Sequence, residues 1–543
     1  MVTVVVTGKT RASKSRRVLL RTTTTALHIS PDLLAQNIQI TTKMVSADNL
    51  HYDVLTIIFG YLPLPDLASV SAVSRSFQSS AEPWLYRTLP FTHAQAKRYA
   101  LAGTSSTSST SPFTVMLSAP HRSSYVRTID LRVIPNERRR IGVFDARFMA
   151  DTLAAVEKAV NLTAFTCTIA RAVPAFLSPL WAKSRLTYLR INAALPSEAP
   201  MGLLKITTLK VLVLEEPTYF VLNALPRWAE KMKNTLLHLT ITGSKELNTE
   251  VLSQSVKHLS HLLGLHLSAC PLIDHADIFA LAPQLPHLQS LSTTLSAQPP
   301  RVPPVDTFSS LQHLALEIHA RSSPPTNYGQ LPNYAVHNPH PLSGVLPLIS
   351  GSRLRSLSLK SSSSDTLDTP TLHTLLAAHG PTLRVLRLHG LNLSMAHLYE
   401  VAARAPNLTK LYCVMKEKEI HQLGGALSGC ENLKMIVDVG AGETSPGSGS
   451  GIHGAGPVPV PGAGHHAGRR PGLTTEPVKT LMQDVQSLRK VVCENRVWTA
   501  AEGSKGEKKV KFERQKRTPS RGMSGWFMPP PESAVEGLPN LLY

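Results

Sequence analysis

Residues 434–447 read "KMIVDVGAGETSPG": an apolar run, an acid, then glycines. The first strand and loop of a nucleotide- or methyl-donor-binding fold begin this way, and residues 449–454 ("GSGIHG") also satisfy G-x-G-x-x-G. The chemistry would be anion binding at a helix N-terminus, where unpaired N–H groups meet a phosphate. Such a site needs a helix directly after the glycines. Here Pro446 intervenes at once, Gly, Ser and Pro continue past Pro461, and helical spacing returns only near Val478. The stretch reads better as a strand at the mouth of a flexible insert.

Other reactive residue types are present without a site to hold them. The 22 histidines include the ligand-like pairs His258/His261, His337/His340 and His465/His466, none joined to a second cluster at metal-site spacing. The first pair falls in a helical stretch, the others in loops. The five cysteines, Cys167, Cys270, Cys413, Cys430 and Cys493, are odd in number and form no C-x-x-C, which points to a reducing compartment. Nucleophile-elbow, zincin and P-loop motifs are missing, and the acids are scattered. The expectation is no catalytic residue, no cofactor and no metal. Three N-x-S/T triplets, at Asn161, Asn392 and Asn407, read as chance matches.

The pattern that positions these residues is a repeat. L-x-x-L-x-L recurs from Leu186, Leu209, Leu236, Leu262, Leu288, Leu311, Leu354, Leu383 and Leu408, with looser copies from Val126, Leu162, Leu433 and Leu488. From Leu162 to Leu311 the starts lie 24, 23, 27, 26, 26 and 23 residues apart, and from Leu354 to Leu433 they lie 29, 25 and 25 apart. Alternating apolar residues give each unit a short strand with one inward face. The rest of each unit carries helical spacing, and no unit can bury its apolar side alone. Leu433–Val439 falls on this beat, so the "VDVG" stretch is one more strand. Cys167, Cys413 and Cys493 close strands as buried small hydrophobes. Gly/Pro/Ser/His-rich inserts follow Leu311 and Leu433. The period resembles that of leucine-rich repeats, and the unit from Leu262 resembles their cysteine-containing subtype, with Cys270, Ile273 and Asp274 in place. That resemblance implies a solenoid with parallel strands on the concave face and helices on the convex face. Residues between the core leucines would then face outward in one strip: Arg190, Val213, Thr240, His266, Ser292, Ala315, Ser358, Arg387 and Tyr412. Of these, Arg190, Thr240, His266, Arg387 and Tyr412 are the candidate target-binding residues.

Ahead of the repeat, residues 46–91 carry three short helical patterns. The first holds Leu50, Val54, Leu55, Ile58, Phe59 and Leu62, with Ser46 or Asp48 as cap and Pro63 and Pro65 as its end. The second holds Leu67, Val70, Val73 and Phe77, and the third starts at Glu82-Pro83 with Trp84, Leu85 and Tyr86. So short a module buries little by itself, and an apolar helix face on it suits docking. The segment resembles an F-box, through "YLPLPDL", "VSAVSRSF" and "PWLYRTL". It departs from the family at His51, usually proline, at Ser74, usually cysteine, and at Phe77, usually tryptophan. The resemblance implies docking on a Skp-type adaptor through Leu50, Val54, Leu55, Ile58, Phe59, Leu62, Pro63, Leu67, Val70, Val73 and Phe77.

Composition sets the remaining bounds. The chain has 543 residues, 42% apolar but 6% aromatic, so its core is mainly aliphatic. No run of about 18 apolar residues suggests a membrane span. Of the net charge of +20, residues 1–43 and 505–521 carry +6 each. The first 30 residues have a composition shared by transit peptides and basic arms, and Met44 is an alternative start. Basic tails attract acidic partners, but no interleaved aromatics offer bases a stacking surface, so nucleic acid is not the expected partner.

The expected architecture is α/β: a basic arm (1–45), the F-box-like helical module (46–91), a repeat solenoid (120–439), an insert (440–476), a last repeat with its cap (477–516) and a tail (517–543). Resemblance to F-box plus leucine-rich-repeat proteins of irregular, fungal style covers about residues 46–516. It implies a non-catalytic substrate receptor of an SCF-type ubiquitin ligase, joined through the Skp-type adaptor to a cullin and a RING protein, in cytoplasm or nucleus. A protein-interaction scaffold is the alternative, and an enzyme built on "VDVGAG" the third reading.

Overall fold

A computed structural model describes residues 51–102, 110–137, 142–295, 308–318, 341–440, 473–502 and 508–514. The chain divides after Ala164 into two compact units.

The first unit opens with α1 (Tyr52–Phe59), α2 (Leu64–Ser71) and α3 (Arg75–Leu85). The spacing Leu67–Val70–Val73–Phe77 suggests one continuous helix, but the chain breaks at residues 72–74. Ser74 is extended, and its hydroxyl accepts a hydrogen bond from Phe77 N at 3.2 Å, which starts a new helix. Pro83 therefore lies within α3 rather than opening a third piece. The expected caps Ser46 and Asp48 lie outside the described residues. β1 (Thr88–Phe91) pairs in parallel with β2 (Thr128–Leu131). Helices Pro112–Leu117 and Ala146–Lys158 supply Phe113 and Phe148, which pack with Phe91 as a buried aromatic cluster; the Phe91 and Phe148 rings are 4.4 Å apart.

The division falls inside β3 (Ala164–Cys167). The second unit then runs through β4 (Tyr188–Asn192), β5 (Val211–Glu215), β6 (His238–Thr242), β7 (Gly264–Ser268), β8 (Ser290–Leu295) and β9 (His313–Ile318). It continues with β10 (Ser356–Thr366), β11 (Val385–Asn392), β12 (Lys410–Cys413), β13 (Met435–Asp438) and β14 (Lys490–Cys493). From β4 to β14 every strand is hydrogen-bonded in parallel to the next in chain order. An antiparallel hairpin, β15 (Arg496–Glu502) and β16 (Lys508–Arg514), follows β14. This is a mixed α/β architecture with a long parallel sheet, since α-helices or 3-10 turns return the chain between many of the strands.

Each motif leucine has a fixed place. The first of every L-x-x-L-x-L, from Leu186 to Leu488, is buried just before its strand, and the next two motif positions are buried with it in every unit but that of Leu433, where Asp438 takes the last place. The residue before that first leucine is often Asn, Ser or Thr, and its side chain bonds back to a carbonyl of the preceding unit. Thr208 Oγ1 donates to Leu186 O (2.6 Å), Asn407 Nδ2 to Pro381 O (2.7 Å), Asn432 Nδ2 to Pro406 O (3.0 Å) and Ser487 Oγ to Cys430 O (2.8 Å). His261 and His287 hold the same position and stack, 6.2 Å apart and 4° from parallel. His258 and His261 lie beyond the helix Thr249–Val256, not in it. Asn161 belongs to the same set, donating to Ser124 O at 2.9 Å, so two of the N-x-S/T asparagines are backbone ties between units.

Candidate functional site

α1 carries two apolar stripes. Leu55 and Phe59 turn inward and meet Leu67 of α2 and Phe77 and Ala81 of α3, with Leu62, Val70, Trp84 and Leu85 packed around them. The Phe59 and Phe77 rings meet edge to face at 5.3 Å. Trp84 Nε1 donates to Thr56 O at 2.8 Å, which locks α3 against α1. A Cβ at Gly60 would stand 2.8 Å from the Trp84 ring, so the close approach needs glycine.

The second stripe faces solvent. Val54, Ile57 and Ile58 on α1, and Tyr61 in the turn just past it, are spaced at i, i+3, i+4 and i+7, and all are exposed, Ile57 by 63% and Tyr61 by 87%. Tyr52, Leu64 and Val73 are exposed apolar residues of the same three-helix module. The residues singled out in the sequence thus separate. Leu55, Phe59, Leu67 and Phe77 are buried within the module, and Leu62 and Val70 are half-buried, while Val54, Ile58 and Val73 stand exposed. Pro63 is exposed as the N-cap of α2, and Leu50 lies outside the described residues. Sequence spacing missed Tyr52 and Ile57, because a helix apolar on two sides gives no phase that tells inner from outer stripe, and it missed Tyr61 and Leu64, which lie in the turn and at the start of α2.

α3 is also tied to the rest of its unit. Glu82 accepts from Arg122 Nε at 2.7 Å and lies 3.2 Å from His121 Nε2, and the Arg122 guanidinium lies over the Tyr86 ring at 4.8 Å. Burial pushes the Glu82 carboxyl up, but the hydrogen bonds and charge of Arg122 and His121 outweigh it and hold the group below the ordinary glutamate value.

In the second unit, strand register makes the sheet-face residues consecutive neighbours: Arg190, Val213, Thr240, His266, Ser292, Ala315, Ser358, Arg387 and Tyr412. The expectation that they face solvent does not hold. Val213 through Arg387 are buried, and Arg190 and Tyr412 are half-buried. Side chains of adjacent strands close over one another. Arg190 Nε donates to Glu215 at 2.7 Å, His266 Nδ1 meets Ser292 Oγ at 2.8 Å, and Arg387 lies 5.0 Å over the Tyr412 ring. The flanking row, with His238, Ser290 and His313, is buried as well. Burial, with His238 and His313 nearby, pushes the His266 imidazole down to about 3, and burial, with Arg355 and Arg387, pushes His313 to about 4.

The "VDVG" acid has a structural place. Asp438 Oδ1 accepts from Met415 N (3.1 Å) and Gly440 N (3.0 Å), and Oδ2 accepts from Cys493 Sγ (3.2 Å), so it ties strand ends together. The motif's glycine-rich continuation, like His337/His340 and His465/His466, lies outside the described residues. All five cysteines are buried free thiols. Burial pushes Cys270 and Cys430 up to about 11 and, aided by Asp438, Cys413 and Cys493 up to about 12, the reverse of what a nucleophile needs. Among the described residues no group of three or more His, Cys, Asp or Glu could hold a metal ion, and no helix is long and apolar enough to cross a membrane.

No curated protein matches the chain. Among solved structures, one described as "Crystal structure of Rad7 and Elc1 complex in yeast" is similar at 16% identity, over 55% of this chain and 84% of that one, with a TM-score of 0.30. The family model described as F-box-like matches residues 49–92, the segment that holds the three helices and the exposed stripe. Residues 49–92 are an F-box-like domain.

Proposed function

We propose that this protein is a non-catalytic substrate receptor of an SCF-type ubiquitin ligase. The observation that carries the reading is the solvent-facing stripe Val54–Ile57–Ile58–Tyr61 on a domain that matches the F-box-like model. Three large apolar side chains on one helix face and a fourth, Tyr61, in the turn after it lose little by folding alone and gain by burial on a partner, roughly 1.5–3 kcal/mol for each one fully buried. The partner is a Skp-type adaptor, and through it a cullin and a RING protein. Val54, Ile58 and Val73, with Tyr52, Ile57, Tyr61 and Leu64, make the contact. Leu55, Phe59, Leu67 and Phe77 set the frame that presents them. The long parallel array is a leucine-rich-repeat solenoid that holds the target, and the protein acts by bringing target and ubiquitin-transfer machinery together. Buried free thiols support a reducing compartment, cytoplasm or nucleus.

The test is capture of purified Skp-type adaptor by the full chain. Ile57→Asp and Tyr61→Asp should each abolish capture while leaving the melting temperature unchanged. Capture of adaptor without ubiquitin transfer to any bound protein in a reconstituted ligase would favour the scaffold reading instead.

A further inference from the structure

From Val213 to Arg387 the sheet-face row is buried, so it offers a macromolecule little side-chain surface. Asn192, Glu215, Thr242 and Ser268 are register partners at the carboxyl ends of β4–β7, so the loops that follow leave from one rim. Four large apolar side chains on or just behind those loops are exposed: Met201, Tyr219, Phe220 and Leu272. Tyr219 and Phe220, with rings 6.1 Å apart, open the helix Tyr219–Lys231, which packs beside the helix Pro200–Leu203 that bears Met201.

The same rim is acidic on a chain whose net charge is +20. Glu198, Glu216 and Glu246 are exposed on it, against Lys245. Glu216 is central: Asn192 Nδ2 lies 3.3 Å from its Oε2, and its Cγ is 3.2 Å from where a Cβ on Gly243 would stand. It sits at φ 50°, seven residues after its unit's first leucine; in three other units that place holds Gly243, Ala269 and Gly390, also at positive φ. A carboxylate is kept where glycine is the relaxed choice.

We propose that this rim is the target-docking surface, and that its occupant is a basic protein segment in which aliphatic or aromatic side chains alternate with Lys or Arg. The inference rests on the receptor reading above. Charge complementarity selects the occupant, and the exposed rings and Met201 receive its apolar side chains.

The test titrates the full-length protein with a fluorescent peptide alternating Leu with Lys or Arg, and with a twin carrying Glu in place of each base. The basic peptide should bind at least about tenfold more tightly. Glu216→Lys and Phe220→Ser should each weaken it by about tenfold, while Phe512→Ser, at an exposed ring on β16, leaves it unchanged. Glu216→Gly should lose affinity yet melt no lower than the parent, which separates the charge from the backbone. Equal binding of the two peptides, or binding indifferent to Glu216→Lys and Phe220→Ser, overturns the proposal. Adaptor capture on the same samples reads the receptor role separately. Capture without peptide selectivity removes this inference alone, and selectivity without capture keeps the surface and removes the ligase role.

Discussion

His266 and His313 show how a residue's surroundings become a property of the protein. Both are held neutral in the fold, at about 3 and about 4, and return to near 6.5 when the chain unfolds. Below 6.5 the unfolded chain takes up protons that the folded chain refuses. Their stabilisation is therefore intact above pH 6.5 and is lost as pH falls toward 4 and 3. The loss should be roughly 1 kcal/mol per group between pH 7 and pH 5.5. Urea midpoints across that range should fall for the parent and fall less for His266→Gln; a flat parent profile would mean that the two histidines are not held neutral. Ala269 stands at φ 54°, in a conformation that Gly243 and Gly390 adopt without strain. Ala269→Gly should raise stability by up to about 1 kcal/mol, read as a higher thermal midpoint. At this scale the sequence was legible for Cys413, Cys493 and the "VDVG" strand, which spacing alone assigned to strand ends and to the repeat. It was not legible for His266 or Arg387, since period 2 tells which face a side chain takes but not whether that face meets water.

At the scale of elements, each unit depends on ties to the one before it. Asn407 and Asn432 bond neighbouring carbonyls on either side of the same stretch of array. Asn407→Ala should cost about 1 kcal/mol, and the double substitution about twice that, measured by urea denaturation. In the helical module, Leu55→Asp should unfold the three helices, because an unpaired carboxylate would enter the Leu55–Phe59–Phe77 core. Circular dichroism should show that loss for Leu55→Asp and not for Ile57→Asp. The α2–α3 break escaped the spacing argument because Leu67, Val70, Val73 and Phe77 keep helical phase across it. The usable signal was Ser74 itself, a capping residue type three places before Phe77.

For the whole molecule, the strands were readable because their cause is local and repeated: unit after unit places its first leucine in the core and the next two motif side chains on the inward face of a strand, Asp438 being the exception. What stayed hidden depends on neighbouring units together, namely the closure of the sheet face and the shared rim at the strand ends. The sequence did locate the helical module, but the face it offers a partner emerged only once its own core had claimed Leu55, Phe59, Leu67 and Phe77. On the proposed reading, this outward stripe joins the chain to a Skp-type adaptor. Calorimetric titration of purified adaptor into the full-length protein tests it most directly. Saturable one-to-one binding is expected, weakened by at least about a hundredfold in Ile57→Asp, with melting unchanged. No heat of binding to the folded parent protein, or equal affinity for parent and variant, would contradict it.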